Sequence, residues 1–256
     1  EDRLKLSNNE EDKRLLKQSL QGTTVQQMCC AHCGFTKQRK PEDFNFLSVP
    51  VKDLNGLNEG LAKLVEVEHL SGYKCDKCGK AGTTTKRSLP NTLPDTLFLL
   101  LLRFEWNWYT GQRLKINTKY EFPDALDMTD FTHTDETETE THETRRRDGY
   151  FKYKLNGVVV HSGGPLSGHY YSFARCGSGG KGDRWVELND STTTELDPSK
   201  LDEECFGGSK MTSEYDASAG RVVQRERMIT TNAFMLVYRR DRGDAESECV
   251  SSARDM

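Results

Sequence analysis

Apolar and polar positions along the chain predict strands more often than helices. Residues 44–51, FNFLSVPV, alternate and then run apolar, which predicts a strand. Leu57, Leu61, Leu64 and Val65 recur at helical spacing, which predicts a helix over residues 57–67. The run from Leu97 to Phe104, opened by Pro94, is too short to cross a bilayer, which takes roughly 18 apolar residues or more, and predicts a central strand buried on both faces. Further on, YFKYKLNGVVVHSGG, GHYYSFARC, RWVELNDSTTTEL and NAFMLVYRR read as strands parted by Gly-rich or charged turns such as GSGGKGD. The expected class is α+β with a mostly antiparallel sheet.

Three stretches lack that pattern. Residues 1–17 are charged without a sustained apolar stripe and read as a short surface helix or a frayed end. Residues 132–148, THTDETETETHETRRRD, carry too little apolar surface to offset the entropy of ordering and read as a disordered acidic, Thr-rich insert. Residues 241–256 are polar and read as a disordered tail. No repeat of solenoid or propeller kind is visible.

The chain has 256 residues, with 36 Lys and Arg against 40 Asp and Glu and a formal net charge of −4. It therefore has no global basic field of the kind that holds a phosphate backbone, and nucleic acid is not the expected partner. With no membrane-length apolar run and an opening too charged for a signal peptide, the chain reads as soluble, outside the membrane, and cytoplasmic or nuclear.

In such a compartment the eight cysteines point to metal rather than disulfides. Cys30 and Cys33 form one C-x-x-C knuckle, Cys75 and Cys78 a second. Each knuckle presents two thiolates to one tetrahedral zinc at about 2.3 Å, and four sulfurs close the shell, which makes the site structural. The 41 residues between the knuckles require an extended sheet that returns the chain to the metal. Four free buried cysteines are the bland alternative, Cys29 could stand in for Cys30, and His32 reads as a solvated turn residue. Lysines and arginines near the knuckles raise a zinc-dependent nucleic-acid reading, countered by Glu42, Asp43, Glu66, Glu68 and Asp76.

A second centre is HSGGPLSGHYYSFAR, in which His169 follows Gly168 at the start of an aromatic strand. Downstream, Asn189 and Asp190 close the strand of WVELND and offer an amide or carboxylate to the imidazole Nδ1 proton, the base and orienter half of a nucleophilic triad. Gly163, Gly164 and Gly168 suit close approach of a substrate backbone, although the first two serve equally to turn the chain. Tyr170 and Tyr171 alternate across the strand, so one of them could wall a channel. Spacing alone leaves His169 open to a purely structural role.

The wording of these segments goes further. YKLNGVVVHSGGPLSGHYYSFAR, RWVELND, ECFGGS and NAFMLVYRR closely resemble the His box and final strands of the ubiquitin-specific proteases. MCCAHCG, YKCDKCGK, KRSLPNTLPDTLFLLLLRF and LKINTKYEFPDALDM resemble the upstream half of the same family. The match runs from about Gln18 to Arg240 with order intact and looks nearest to the very large members of the fat-facets kind.

The resemblance implies a papain-like cysteine protease fold with a four-cysteine zinc ribbon: fingers at about 25–90 and palm at about 91–131 and 149–240, within a partial catalytic domain over 18–240. It implies ubiquitin as partner, structural zinc and no catalytic cofactor. His169 matches the catalytic base, Asn189 its orienter and Asp190 an adjacent acidic helper; in the cleft of such a fold Gly168, Tyr170 and Tyr171 are the expected substrate-binding residues. The family's nucleophile lies in a box resembling G-x-x-N-x-x-N-T-C-Y, and no such segment occurs in these 256 residues. The expectation is a deubiquitinase fragment whose nucleophile-bearing segment is absent and which is inactive alone. The alternative is a catalytically inactive ubiquitin-binding module.

Overall fold

A computed structural model describes residues 9–133, 149–177, 184–216 and 220–242. The insert expected at 132–148 lies outside these residues except for its first two. Thr132 and His133 are buried, with Thr132 Oγ1 donating to the Met128 carbonyl and the His133 backbone N–H donating to Pro90 O at 2.7 Å. At those two positions the sequence expectation of an unstructured insert does not hold. All but two residues of the tail expected at 241–256 also lie outside.

Two main sheets organise the chain. In the smaller, β1 (Gly22–Cys30) pairs antiparallel with β2 (Thr36–Gln38), β3 (Glu42–Phe44) and β6 (Ala81–Thr92), and β6 pairs with β5 (Glu68–Lys74). The long β1 and β6 are the extended arms that the 41-residue gap demanded; along β1 they bury Val25, Met28 and Cys30. The helix Glu10–Leu20 precedes this sheet and is N-capped by the Asn9 side chain, which accepts from the Glu11 backbone N–H.

The larger sheet runs β14 (Thr192–Leu196), β13 (Arg184–Asn189), β12 (Gly168–Cys176), β11 (Lys152–Gly163), β17 (Thr231–Arg240), β7 (Thr96–Leu102), β4 (Leu47–Pro50), with β10 (Ala125–Asp127) also on β11. Every pairing is antiparallel except β4 with β7. The sequence placed β7 at the centre and buried on both faces. Leu97, Leu99 and Leu101 are fully buried, whereas Phe98 and Leu100 on the other face are partly buried. Leu102 is exposed and Phe104 belongs to a separate hairpin, β8 (Phe104–Asn107) with β9 (Gln112–Lys115).

The helix expected over 57–67 spans Leu57–Leu64 and turns Leu57 and Leu61 into the core, while Val67 is exposed. Its Gly60 is required by packing, because a Cβ there would sit 2.1 Å from the Tyr120 hydroxyl.

Behind the sheet, Arg103 is buried with no carboxylate partner among the described residues. Its guanidinium donates to the carbonyls of Ala233, Ile116, Thr118 and Phe206, joining the end of β7 to β17 and to the helix Leu201–Cys205. Burial pulls its pKa down to about 10. The ribbon β15 (Ser209–Asp216) with β16 (Arg221–Met228) pairs only with itself among the described residues and leaves Met211, Tyr215, Val222 and Met228 exposed.

Candidate active site and metal centre

The site grows from the end of β12. Gly163 closes β11 at φ +126°, a conformation that suits glycine, and pairs across the ladder with Gly168. Gly168 is tightly confined: a Cβ would lie 2.2 Å from His161 Nε2 and 2.5 Å from the Ser162 carbonyl oxygen. Its lack of a side chain is thus already demanded by packing inside the protein. Lys115 Nζ donates to the carbonyls of His161 (3.0 Å), Gly163 (3.2 Å) and Thr230 (2.6 Å), holding that strand end in place. Burial, and then the charge of Arg103, lower its pKa to about 8.

His169 is the second residue of β12 and is about half exposed, with 48 % of its side chain accessible. Its Nε2 lies 2.7 Å from Asn189 Oδ1. The sequence expectation had Nδ1 in that role; in the structure Nε2 faces the orienting amide. The reason is the ring's approach from β12 to the neighbouring β13, where Asn189 is the last residue.

Asn189 Nδ2 in turn donates to Glu187 Oε1 at 3.1 Å. Asp190, in the two-residue turn between β13 and β14, takes φ +51°, a left-handed conformation that Asp tolerates better than most residues. Its carboxylate lies 4.0 Å from His169 Nε2 and is largely exposed, near enough for a Coulomb interaction and too far for a hydrogen bond.

The two tyrosines part as alternation requires. Tyr171 stacks near His169 with centroids 6.2 Å apart and 21° between planes, and its hydroxyl donates to Glu204 Oε2 at 3.3 Å. Burial and the Glu204 charge push that hydroxyl well above its ordinary pKa. Tyr170 points to the opposite face, packs on His161 and Phe234, and stays half exposed. The structure thus brings His169, Asn189, Asp190 and Tyr171 together, with Gly168 shaping the strand end and Tyr170 on the other side.

Glu187, His161 and Lys115 were missed in the sequence. Only Glu187 left a readable signal, because E-L-N on a strand puts positions 187 and 189 on one face.

At the far end of the small sheet, the Sγ atoms of Cys30, Cys33, Cys75 and Cys78 all lie within 4.8 Å of one another, with Cys30–Cys78 at 4.0 Å and Cys33–Cys75 at 3.8 Å. Four sulfurs on a tetrahedron about 2.3 Å from a zinc would be about 3.8 Å apart, so the donor set fits that ion in number, softness and spacing. Each knuckle turns on a glycine with positive φ, Gly34 and Gly79, whose N–H groups donate to the carbonyls of Cys30 and Cys75. Backbone N–H groups of Cys78 and Lys77 bring the Cys75 thiol down to about 7, whereas at Cys33 the Phe35 backbone hydrogen bond is outweighed by burial and the three neighbouring sulfurs, which push the thiol up to about 11. Cys29 points away, its Sγ 4.0 Å from the Gly34 carbonyl oxygen, and His32 is exposed. Among the described residues no helix is long and apolar enough to cross a membrane.

Comparison with known proteins adds a lineage to this geometry. The profile of the family described as ubiquitin carboxyl-terminal hydrolase matches residues 1–238. The probable ubiquitin carboxyl-terminal hydrolase FAF of Drosophila melanogaster is 33% identical over 240 residues, covering 89% of this chain and 9% of that protein. Ubiquitin carboxyl-terminal hydrolase 9X of Mus musculus is 32% identical over 248 residues, covering 88% of this chain and 10% of that protein. The chain therefore spans about a tenth of the length of these curated relatives. Among solved structures, a SAGA DUB module containing Ubp8 bound to monoubiquitin has a similar fold, with a TM-score of 0.66 at 22% identity over 88% of this chain and 41% of that one.

Proposed function

The chain belongs to the ubiquitin carboxyl-terminal hydrolase family, and from that premise we propose that it is the part of a cysteine-type deubiquitinase that carries the base, its orienting amide and a structural zinc site. The observation that carries this reading is the 2.7 Å contact between His169 Nε2 and Asn189 Oδ1, which leaves Nδ1 free to take a proton from a thiol.

In the reaction, the thiolate attacks the carbonyl carbon of ubiquitin's C-terminal glycine. The C–N bond to the substrate amine breaks, and the proton held by His169 goes to that amine. Water then attacks the acyl-enzyme carbonyl and gives its proton to His169, and the C–S bond breaks to release the ubiquitin carboxyl terminus and restore the thiolate beside the protonated ring. Asn189 keeps the ring in line through both steps, the Asp190 carboxylate lies 4.0 Å from Nε2, and Tyr171 forms a wall beside the ring.

The thiol is assigned to a segment of the parent protein outside residues 1–256. Cys30, Cys33, Cys75 and Cys78 converge on one metal position, and Cys29 lies beside them. Cys176 ends the same strand seven residues from His169, roughly 23 Å away at strand rise. Cys205 is buried, and burial pushes its thiol pKa up, which disfavours the reactive thiolate. Cys249 lies outside the described residues.

Zinc held by the four knuckle cysteines would stabilise the small sheet and take no part in the reaction. Ubiquitin or ubiquitinated proteins are the partners, and cytoplasm or nucleus the place of action.

The test is to treat the full-length protein with ubiquitin bearing a C-terminal thiol-reactive group and to follow hydrolysis of a ubiquitin amide. A covalent adduct is expected, and His169→Ala is expected to lower hydrolysis about 10²- to 10⁴-fold. Absence of both adduct and hydrolysis overturns the enzymatic reading. Ubiquitin binding that persists without either reaction identifies the non-enzymatic module instead.

A further inference from the structure

We propose that Glu187 is a positioning residue of this site: by accepting the Asn189 side-chain amide it decides which end of that amide meets His169, and thereby which ring nitrogen carries the proton. The inference rests on the deubiquitinase reading for its catalytic meaning, though not for its geometry.

An amide side chain has two ends of similar shape and opposite hydrogen-bonding sense: Oδ1 only accepts, and Nδ2 only donates. Asn189 by itself could present either end to an imidazole. Glu187 removes the choice, because an ionised carboxylate can only accept. Its Oε1 lies 3.1 Å from Asn189 Nδ2, so the NH2 end is committed to Glu187 and Oδ1 is left facing His169 at 2.7 Å.

Two acceptors cannot share a hydrogen bond. His169 Nε2 must therefore bear the proton, and in the neutral ring Nδ1 is then the bare lone pair that a general base needs. With the opposite amide end turned in, Nε2 would have to accept, the proton would move to Nδ1, and the face intended for the thiol would be blocked.

The strand makes the arrangement rigid. Glu187 and Asn189 are two apart on one face of β13, both partly buried, and Glu187 is flanked across the ladder by Phe173 on β12 and Thr194 on β14. The other titratable groups on this side are Asp190, 4.0 Å from Nε2, Tyr171 stacked beside the ring, and Glu204 on the Tyr171 hydroxyl. Among the described residues none of these three hydrogen-bonds Asn189 Nδ2, and Glu187 Oε1 is the acceptor that holds the NH2 end while Oδ1 is left to the ring.

The tautomer can be read without catalysis. The 256-residue chain, labelled with 15N in its six histidines, is examined by two-bond 1H–15N spectra at a pH where imidazoles are neutral, with His169→Gln used to assign the signal. In the unaltered protein and in Glu187→Gln, whose carbonyl can still accept, His169 should show a protonated Nε2 and a pyridine-like Nδ1. Glu187→Lys supplies a donor in place of an acceptor and should invert the pattern, and Glu187→Ala should give both tautomers. If the Lys variant does not fold, the Ala variant decides.

A ring protonated at Nδ1 in the unaltered protein, or one tautomer shared by the unaltered protein, Ala and any folded Lys variant, overturns the proposal. In the full-length enzyme the same series should lower kcat with little change in KM for Lys and Ala and restore it for Gln. A tautomer series as expected in a full-length protein that ignores ubiquitin would sink the deubiquitinase reading alone; a flat series in a reactive enzyme would sink the role of Glu187 alone.

Discussion

His161 shows how one side chain can matter to the site from behind it. It lies on β11, 4 % exposed, edge-on to Phe104 with centroids 5.2 Å apart and against Tyr170 at 4.7 Å, and its Nδ1 is buried without a hydrogen-bond partner among the described residues. Burial first, and the Lys115 ammonium second, hold its pKa below the ordinary 6.5. An unfolded chain therefore takes up a proton below pH 6.5 that the folded chain resists. The stability this residue contributes is fully present above that value and is lost as pH falls through the folded-state pKa. Thermal unfolding followed from about pH 7.5 to 5 should show a steeper fall in Tm for the unaltered chain than for His161→Gln. Equal slopes would show that His161 already charges freely in the fold. At this scale His169 and Asn189 were legible because they stand in recognisable words of sequence, whereas His161 lies eight residues upstream in a strand and nothing in that spacing says that it backs Gly168.

The strands were legible as elements to the degree that their alternation was clean. β11, β12, β13 and β17 were readable because each alternates or runs apolar between Gly-rich or charged breaks. β7 departs from its reading in three ways: it ends at Leu102 before Phe104, it lies next to the edge strand β4 and not at the centre, and only one of its faces is fully covered, because burial depends on what packs on each face. The ribbon β15–β16 escaped notice because its residues, MTSEYD and RVVQRERM, make a two-sided polar pattern that no core demands. Its ends are already joined, with the Ile229 backbone N–H donating to the Gly208 carbonyl at 2.8 Å, and the Gly207–Gly208 pair with positive φ turns the chain there. Replacing residues 210–227 by a short Gly-containing turn should shift stability by no more than about 1 kcal/mol, since shortening a surface loop changes closure entropy only slowly. Chemical denaturation measures this; a loss of several kcal/mol would show that the ribbon supports the large sheet.

Across the whole molecule, the small sheet has a modest interior and a four-thiol cluster at its end, while the large sheet has the contiguous core of Leu97, Leu99, Leu101, Tyr120, Tyr153, Val158, Phe173, Leu236 and Tyr238. The two should therefore respond differently to loss of metal. A zinc chelator, or Cys75→Ser, should release amide protection in β1, β5 and β6 and leave β11, β12 and β17 protected, as hydrogen exchange would report. Simultaneous loss in both sheets would make the metal a support for the entire chain. Protection unchanged in β1, β5 and β6 would mean that the cysteines hold no structural ion.

The sequence by itself determined the strand-rich class, the pair of C-x-x-C knuckles and the words around His169 and Asn189. Each is local: a period of two, a two-residue gap between thiols, or a short run of residues that keeps its chemistry wherever it is read. The tertiary structure alone decided that Cys30 rather than Cys29 joins the cluster and that Nε2 rather than Nδ1 faces the amide. It also decided that Gly168 is needed by His161 and that Glu187 completes a line of hydrogen bonds through Asn189 to the ring. Those outcomes depend on the register between strands far apart in the chain, which is set by the packing of side chains on a shared face, and no spacing along a single strand contains that information.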